Sequence, residues 1–418
     1  MRKLIRVFRS DTDTLGLDAG IELTVSFLPV NLKRHCTHFH QGTINSDLNS
    51  GSPQGFGMAP ATFQNNTRST ASVAYLSSPP ANLTIITETR VNKILFSNNK
   101  IATGVLTSNG EAYLASKEVI LSAGAFNSPA ILLRSGIGPK ADLGALSIPV
   151  VHDLPSVGKN LRDHCLVTTT ILRKQRDLHL PPDFDPHGTT GIQAPMAFLS
   201  SPSIKNSAEF AALPSLTRTY LQKVPSYEVA MTPLPLAGIL PEREGAEIFS
   251  FMTAILNAQS SGTVTISSLD PKASPVIDPK YLSHPYDQRV AIESLRDLVA
   301  YSKLSTFQPH TESVLEGPEG EDDAALLKHA KKSLQPVWHF SGTCRMGKEG
   351  DDDENWVVDA DFKVRGVSGL RVVDMSVMPL MTNNHTMATA YLVVGFSRFL
   401  FLWHCTNNIR AKLLQRRS

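Results

Sequence analysis

Apolar residues recur along this chain at two spacings, separated by polar turns. From Leu83 to Phe96 (LTIITETRVNKILF) β-branched residues partly alternate with polar ones, and SNNK follows as a turn. Alternation at period two marks a half-buried strand. Ile101–Leu106 and Lys117–Ser122 repeat it, so this region predicts a meander with polar turns. The last run, EVILSAG, is apolar without interruption, as in a buried strand. It ends at Ala123-Gly124, and Ser128-Pro129 predicts a helix start, with serine as cap and proline in the first turn.

The middle, about 166–335, is rich in proline and short apolar runs. Gly262–Ser268 (GTVTISS) reads as a strand. Asp287–Leu304 reads as a helix, with apolar residues at Val290, Ile292, Leu295, Leu298 and Val299. Further on, Gly369–Ser376 (GLRVVDMS) is strand-like and His385–Gly395 is helical. A strand that ends in an acid and leads to a helix is how α/β folds build ligand sites. Tyr391–Cys405 is strongly apolar but short and interrupted by Arg398, which predicts a buried or aberrant tail and no stable membrane span.

Composition narrows the class. The chain has 418 residues, 41% hydrophobic and 19% charged, as in an ordinary globular protein of two or three folding units. Lys+Arg 40 against Asp+Glu 38 leaves a net charge of +2, too balanced for nucleic acid as main partner. Four scattered cysteines with no CxxC read as reduced thiols. The basic start MRKLIRVFRSDTD is not followed by an apolar run, so no secretory signal is predicted and the default location is cytoplasmic. Three N-x-T sequons, at Asn65, Asn82 and Asn384, carry little weight without one.

Few residues advertise chemistry. Arg34–His40 (RHCTHFH) groups Cys36 with three histidines, but the spacing fits no zinc template, so no metal site is assigned. The acidic runs Glu316–Asp323 and Asp351–Glu354 lack calcium-loop spacing and read as solvated loops. His339 in VWHFSGTCRMG and His385 in TNNHTMATA sit among small and polar residues. Histidine is the natural general base near neutral pH, although a lone histidine is more often structural.

Gly124–Gly138 (GAFNSPAILLRSGIG) resembles the second signature of the glucose–methanol–choline (GMC) oxidoreductase family. The resemblance continues through Leu154–His164 (LPSVGKNLRDH), WHFSGTCRMG and GLRVVDMSVMPLMTNNHTMATAYLV, and covers most of residues 45–394. It implies an α/β (α+β) fold with a Rossmann-like FAD-binding domain and a substrate domain built on an antiparallel sheet. The implied domains are 1–165 (partial FAD-binding), 166–335 (substrate) and 336–418 (a return to the FAD domain with the histidines). It implies FAD as cofactor and oxidation of a primary or secondary alcohol by hydride transfer to flavin N5. His339 matches the family's catalytic base, and His385 matches the group that holds the substrate oxygen. Val91 matches the residue whose backbone meets the adenine. Asp374 and Met375 match the strand end near the phosphate and ribityl chain, and Thr386 and Met387 the helix start beside the isoalloxazine.

The chain departs from the family pattern at both ends. No GxGxxG occurs, so the pattern is entered partway through its first half, as in an N-terminally truncated member. After about Val394 the expected polar helix gives way to GFSRFLFLWHCTNN, as a shifted or read-through frame would produce. The partner expected is a small-molecule alcohol, aromatic or polyketide-derived, as in the fungal aryl-alcohol-oxidase-like branch and its secondary-metabolite pathways. The alternatives are a non-catalytic fragment that binds a small molecule, and a cyclase or lyase on the same fold without net oxidation.

Overall fold

The computed structural model describes residues 4–7, 45, 47–58, 62–64, 67–173, 195–232, 248–303, 308, 311–350 and 355–397. The Arg34–His40 cluster, the acidic run at Asp351–Glu354 and the stretch beyond 397 lie outside these residues.

The largest element is a seven-stranded antiparallel sheet, its strands numbered here by order in the chain. They are β1 (Gly55–Met58), β2 (Cys165–Arg173), β3 (Pro195–Leu199), β4 (Tyr227–Thr232), β5 (Ile248–Ile255), β6 (Thr311–Glu316) and β7 (Gln335–Pro336). The order across the sheet is β6, β2, β5, β4, β3, β1, and β7 also pairs with β2. Strand β2 is rich in β-branched residues and pairs with β5 from Cys165↔Ile255 to Leu172↔Ile248.

Period-two alternation gives the sheet two faces. Cys165, Val167, Tyr227, Val229, Phe251 and Ile255 are buried in one cluster with residues of two helices, α2 (Pro285–Ser302) and α3 (Asp323–Ser333). The opposite face carries Met196, Phe198 and Ala230, packed with Leu48 and Leu256. Glu228 belongs to that second face by its place between Tyr227 and Val229. Helix α2 begins at Pro285 and not at Asp287, because His284 caps it by accepting the Tyr286 N–H at 3.1 Å. The run Glu316–Asp323 is more structured than a solvated loop. Asp322 accepts the Ala324 and Ala325 N–H groups at 3.0 Å to cap α3, and Asp323 pairs with Arg289 and Arg296.

A second core lies around helix α1 (Gly124–Arg134). Of the predicted meander, Val91–Phe96 and Ala102–Thr107 pair as expected, but the third strand of that sheet is Ala112–Leu114 in place of the expected Lys117–Ser122. The buried run appears as Val119–Leu121, paired in parallel with Leu370–Val372. Helix α1 starts at Gly124, so Ser128 is not its cap and Pro129 falls in its second turn. Proline there has no N–H to give the carbonyl of Ala125. The Thr343 hydroxyl fills the vacancy by donating to that carbonyl at 2.7 Å. A sequence feature that should weaken the helix therefore ties it to the stretch that carries His339.

Among the described residues no helix is long and apolar enough to cross a membrane. Cys165 and Cys344 are buried free thiols. In the helix 387–397 (α4), the described start of the tail expected to be buried or aberrant, Leu392 and Phe396 are 60% and 63% exposed and Val393 joins the second core.

The substitution Thr343→Val keeps the shape and removes the hydroxyl. It leaves the Ala125 carbonyl buried and unpaired, and should cost about 1–3 kcal/mol. Urea unfolding should show a lower midpoint with an unchanged slope; an unchanged midpoint would mean that this bond does not hold the two stretches together.

Candidate active site

His339 is placed by a bulged pairing between two distant stretches. Residue pair Cys165↔Pro336 belongs to the β2–β7 ladder, and Arg162↔Ser341 pair again further along, with N–H···O bonds of 3.0 and 2.9 Å. From Arg162 to Cys165 the first stretch advances by fewer residues than the second does from Pro336 to Ser341. The second must therefore bulge, and bulges re-aim side chains. Trp338 sits in this bulge with φ +57, a left-handed conformation unusual for a bulky residue. The Asp163 carboxylate brackets it. Asp163 accepts the His339 N–H at 2.7 Å and the Val337 N–H at 3.3 Å, and also the Tyr281 hydroxyl at 2.6 Å.

On the far side of His339 the chain is tied to the second core. Gly342 N–H bonds the Met375 carbonyl at 3.2 Å, and Cys344 N–H bonds that of Ser376 at 2.8 Å. Gly342 has φ +85, and a Cβ there would lie 2.5 Å from the Asn160 carbonyl oxygen, so only glycine fits. His339 thus sits on the segment that joins the large sheet to the α1 core.

Three imidazoles meet at this point. His339 and His385 have ring centroids 5.0 Å apart at 59°. The fully buried His164 contacts His339 Nδ1 to Nδ1 at 3.0 Å, with the rings edge-on at 82°. His385 Nε2 bonds Glu228 Oε1 at 3.0 Å, across from β4. The Glu228 side chain is only 8% exposed, while that of His385 is 53% exposed.

These surroundings push the histidines apart. Burial lowers His339 to about 3, with His164 and His385 adding to the effect. Burial likewise lowers His164 to about 3. His385 moves the other way, because the Glu228 charge outweighs its partial burial and raises it. Solvent contact at His385 softens that pull. The site therefore holds a neutral imidazole whose Nε2 has no partner among the described residues, beside one biased towards the charged form. Asp163 is pushed up to about 6 by burial, against its hydrogen bonds from Tyr281 and the backbone.

Asp374 has three protein donors. It accepts from Gly124 N at 2.9 Å, Ser128 Oγ at 2.5 Å and Ser376 N at 2.8 Å. With its carboxylate so occupied, Asp374 would have mainly backbone atoms to offer a flavin. Val91 opens its strand opposite Thr107, and its side chain packs against the second core, so it too offers only backbone. Thr386 precedes α4 and Met387 begins it, and the Met387 sulfur accepts from Thr62 Oγ1 at 3.8 Å. Trp338 and Met387, chain neighbours of the two histidines or nearly so, are 60% and 43% exposed. Apolar surface beside two imidazoles suits a flat, largely apolar ring such as isoalloxazine. The sequence has no glycine fingerprint for the diphosphate. Among the described residues no cluster could hold a metal ion.

Glu228, His164 and Asp163 went unremarked in the sequence. A lone carboxylate inside the apolar strand YEVAMT was the available signal for Glu228. Asp163 and His164 lie in LPSVGKNLRDH, with no local pattern that assigns them a task.

Residues 36–166 and 258–393 match the N- and C-terminal models of the GMC oxidoreductases. The chain is 35% identical to the glucose methanol choline oxidoreductase atC of Aspergillus terreus, over 91% of this chain and 67% of that protein. It is 31% identical to an alcohol dehydrogenase [acceptor] of Pseudomonas putida, over 84% of this chain and 64% of that one. The crystal structure of pyridoxine 4-oxidase from Mesorbium loti superposes with a TM-score of 0.74 at 25% identity, covering 92% of this chain and 70% of the other. The chain spans between about half and two thirds of the length of the curated relatives it matches. With both family models matched and a relative 35% identical across two thirds of its length, the chain belongs to the GMC oxidoreductase family.

Proposed function

We propose that this chain serves an FAD-dependent oxidation of a primary or secondary alcohol, with His339 as proton acceptor and His385 as the group that holds the substrate oxygen. The observation that carries this reading is the pair of imidazoles 5.0 Å apart whose surroundings drive their proton affinities in opposite directions. Such a split is how one site supplies a base and a charged hydrogen-bond donor together. Bound FAD would supply the hydride acceptor, and the protein supplies geometry. His339 Nε2 takes the hydroxyl proton. His385, charged under the influence of Glu228, donates to the oxygen as negative charge builds on it. Trp338 and Met387 would offer FAD apolar surface beside the two histidines.

In this reading residues 1–165 and 336–418 contribute to the flavin side and 166–335 to the substrate side, with β1 crossing over to form an edge of the large sheet. The resemblance to the aryl-alcohol-oxidase-like branch supports an aromatic or polyketide-derived alcohol. Acid–base chemistry without net oxidation is the second reading, since a neutral and a charge-biased imidazole side by side could also serve it.

The two readings separate by following alcohol-driven bleaching of the flavin in the FAD-loaded chain; product formed without bleaching would favour the second. His339→Ala should slow flavin reduction by about 10²–10⁴-fold, the usual worth of general-base catalysis. A rate near that of the parent would remove His339 from the role of base. Glu228→Gln removes the charge that raises His385, so the His385 titration midpoint should fall. On the parent, activity should decline as pH rises through the raised midpoint and His385 loses its proton. Histidine NMR titration of both proteins checks the shift, and an unmoved midpoint would contradict the coupling.

A further inference from the structure

A strained turn far from the two catalytic histidines delivers a single side chain to their support. Strand Val276–Asp278, paired with Thr263–Thr265, runs into this turn, and helix α2 leaves it at Pro285. Lys280 and Leu282, which flank Tyr281, have φ +50 and +54. Both are left-handed without being glycine, and such residues persist only where their surroundings over-determine them. Here side chains hold the turn. Asp278 Oδ1 accepts the Lys280 N–H at 3.2 Å, Gln288 donates to the Leu282 carbonyl at 2.8 Å, and Leu282 is buried. Tyr281 packs against the main core of the large sheet and gives its hydroxyl to Asp163 Oδ2 at 2.6 Å.

Asp163 is 4% exposed, and the groups that hold it are neutral donors. Burying a carboxylate in this way is costly unless its lone pairs are well satisfied. Its two oxygens divide the donors. Oδ1 accepts the His339 N–H at 2.7 Å, and Oδ2 accepts the Tyr281 hydroxyl and, at 3.3 Å, the Val337 N–H. Val337 is a shared donor, because its N–H also bonds the His164 carbonyl at 3.1 Å. Tyr281 is therefore the donor to Oδ2 that comes from outside the bulged pairing. The terminal torsion of an aspartate is broad, so Oδ1 is aimed only when Oδ2 is held. Left-handed residues stand on both sides of this carboxylate, Lys280 and Leu282 around one donor and Trp338 beside the other. Burial and the neighbouring carboxylate hold the Tyr281 phenol above its usual range, so it stays a donor.

We propose that Tyr281 is a positioning residue for His339, acting through the Asp163 carboxylate. The hydroxyl fixes one oxygen, the carboxylate plane follows, and the other oxygen sets where the His339 backbone and its imidazole stand. The strain on both sides of Asp163 then has a task, since a base displaced by about 1 Å can lose about 10²-fold in rate. Tyr281 touches neither imidazole and acts across 118 residues of sequence.

The inference rests on His339 as proton acceptor, and backbone and rate can be tested apart. Hydrogen exchange followed by NMR on the full chain reads the His339 amide without FAD. In the parent that amide should be protected. Tyr281→Phe keeps the ring and removes the hydroxyl. It should speed exchange at His339 about 10-fold, while amides of strand β4 keep their rates. With FAD and alcohol, Tyr281→Phe should lower kcat about 10-fold with KM little changed. Asp163→Asn leaves one oxygen to accept and puts an amino group in place of the other, and should lower kcat about 10²-fold. The double variant should be no slower than Asp163→Asn, because Tyr281 acts only through the carboxylate. Losses that multiply, as at independent sites, overturn the proposal. So does a kcat unchanged in Tyr281→Phe, or an unprotected His339 amide in the parent, a result that needs no variant to fold. If exchange responds as expected but no alcohol reduces the flavin of the parent, the functional reading fails while the hold of Tyr281 on the His339 backbone stands.

Discussion

The site depends on the bulged pairing between Arg162–Cys165 and Pro336–Ser341. Asp163, His164, Trp338 and His339 are all attached to it. A regular ladder would alternate the side chains of the second stretch without break. The bulge breaks that alternation and places a bulky residue, Trp338, in the left-handed region. Such a conformation costs about 1–2 kcal/mol and persists only where its surroundings over-determine it. Asp163 provides that determination, because one carboxylate accepts the N–H groups on both sides of Trp338. Its burial has its own cost, visible in the raised proton affinity, and the Tyr281 hydroxyl offsets part of it.

Around this device the fold supplies two rigid supports. The large sheet contributes Glu228 from the face opposite its main core, so a buried carboxylate reaches His385 from the substrate side. The α1 core contributes the anchors at Ala125 and at Met375–Val377, which hold residues 342–346 by backbone and threonine bonds. His339 is thereby fixed from both directions. The electrostatic contrast between the two histidines follows from this placement. Desolvation acts on the ring held inside the bulge, and a charge acts on the ring nearer the surface.

Local structure was largely legible. The parallel pairing of Val119–Leu121 with Leu370–Val372 was not legible, but that strand itself, the first two strands of the meander and the helices at 285–302 and 387–397 follow from apolar spacing and differ from expectation at their ends. Those ends moved for identifiable reasons. His284 is a cap that short-range rules rank low, and Gly124 begins a helix whose Pro129 should have been near the start. Thr343 makes this tolerable from 218 residues away. The site was legible only in part. His339 and His385 stood out by family resemblance, whereas His164 lay in a quoted motif with no role. Its partner is 175 residues distant, and no periodicity reports a contact of that kind.

The sequence by itself determined the period of each element, the balance of charge, the family pattern and the identity of two histidines. These are local or compositional properties, written in neighbouring residues. Tertiary structure decided which histidine is neutral and which is biased towards charge, which carboxylate serves which ring, and where the backbone is forced into a left-handed turn. The physical reason is that proton affinity depends on burial and on groups within a few ångströms, and the pairing of distant strands chooses those groups.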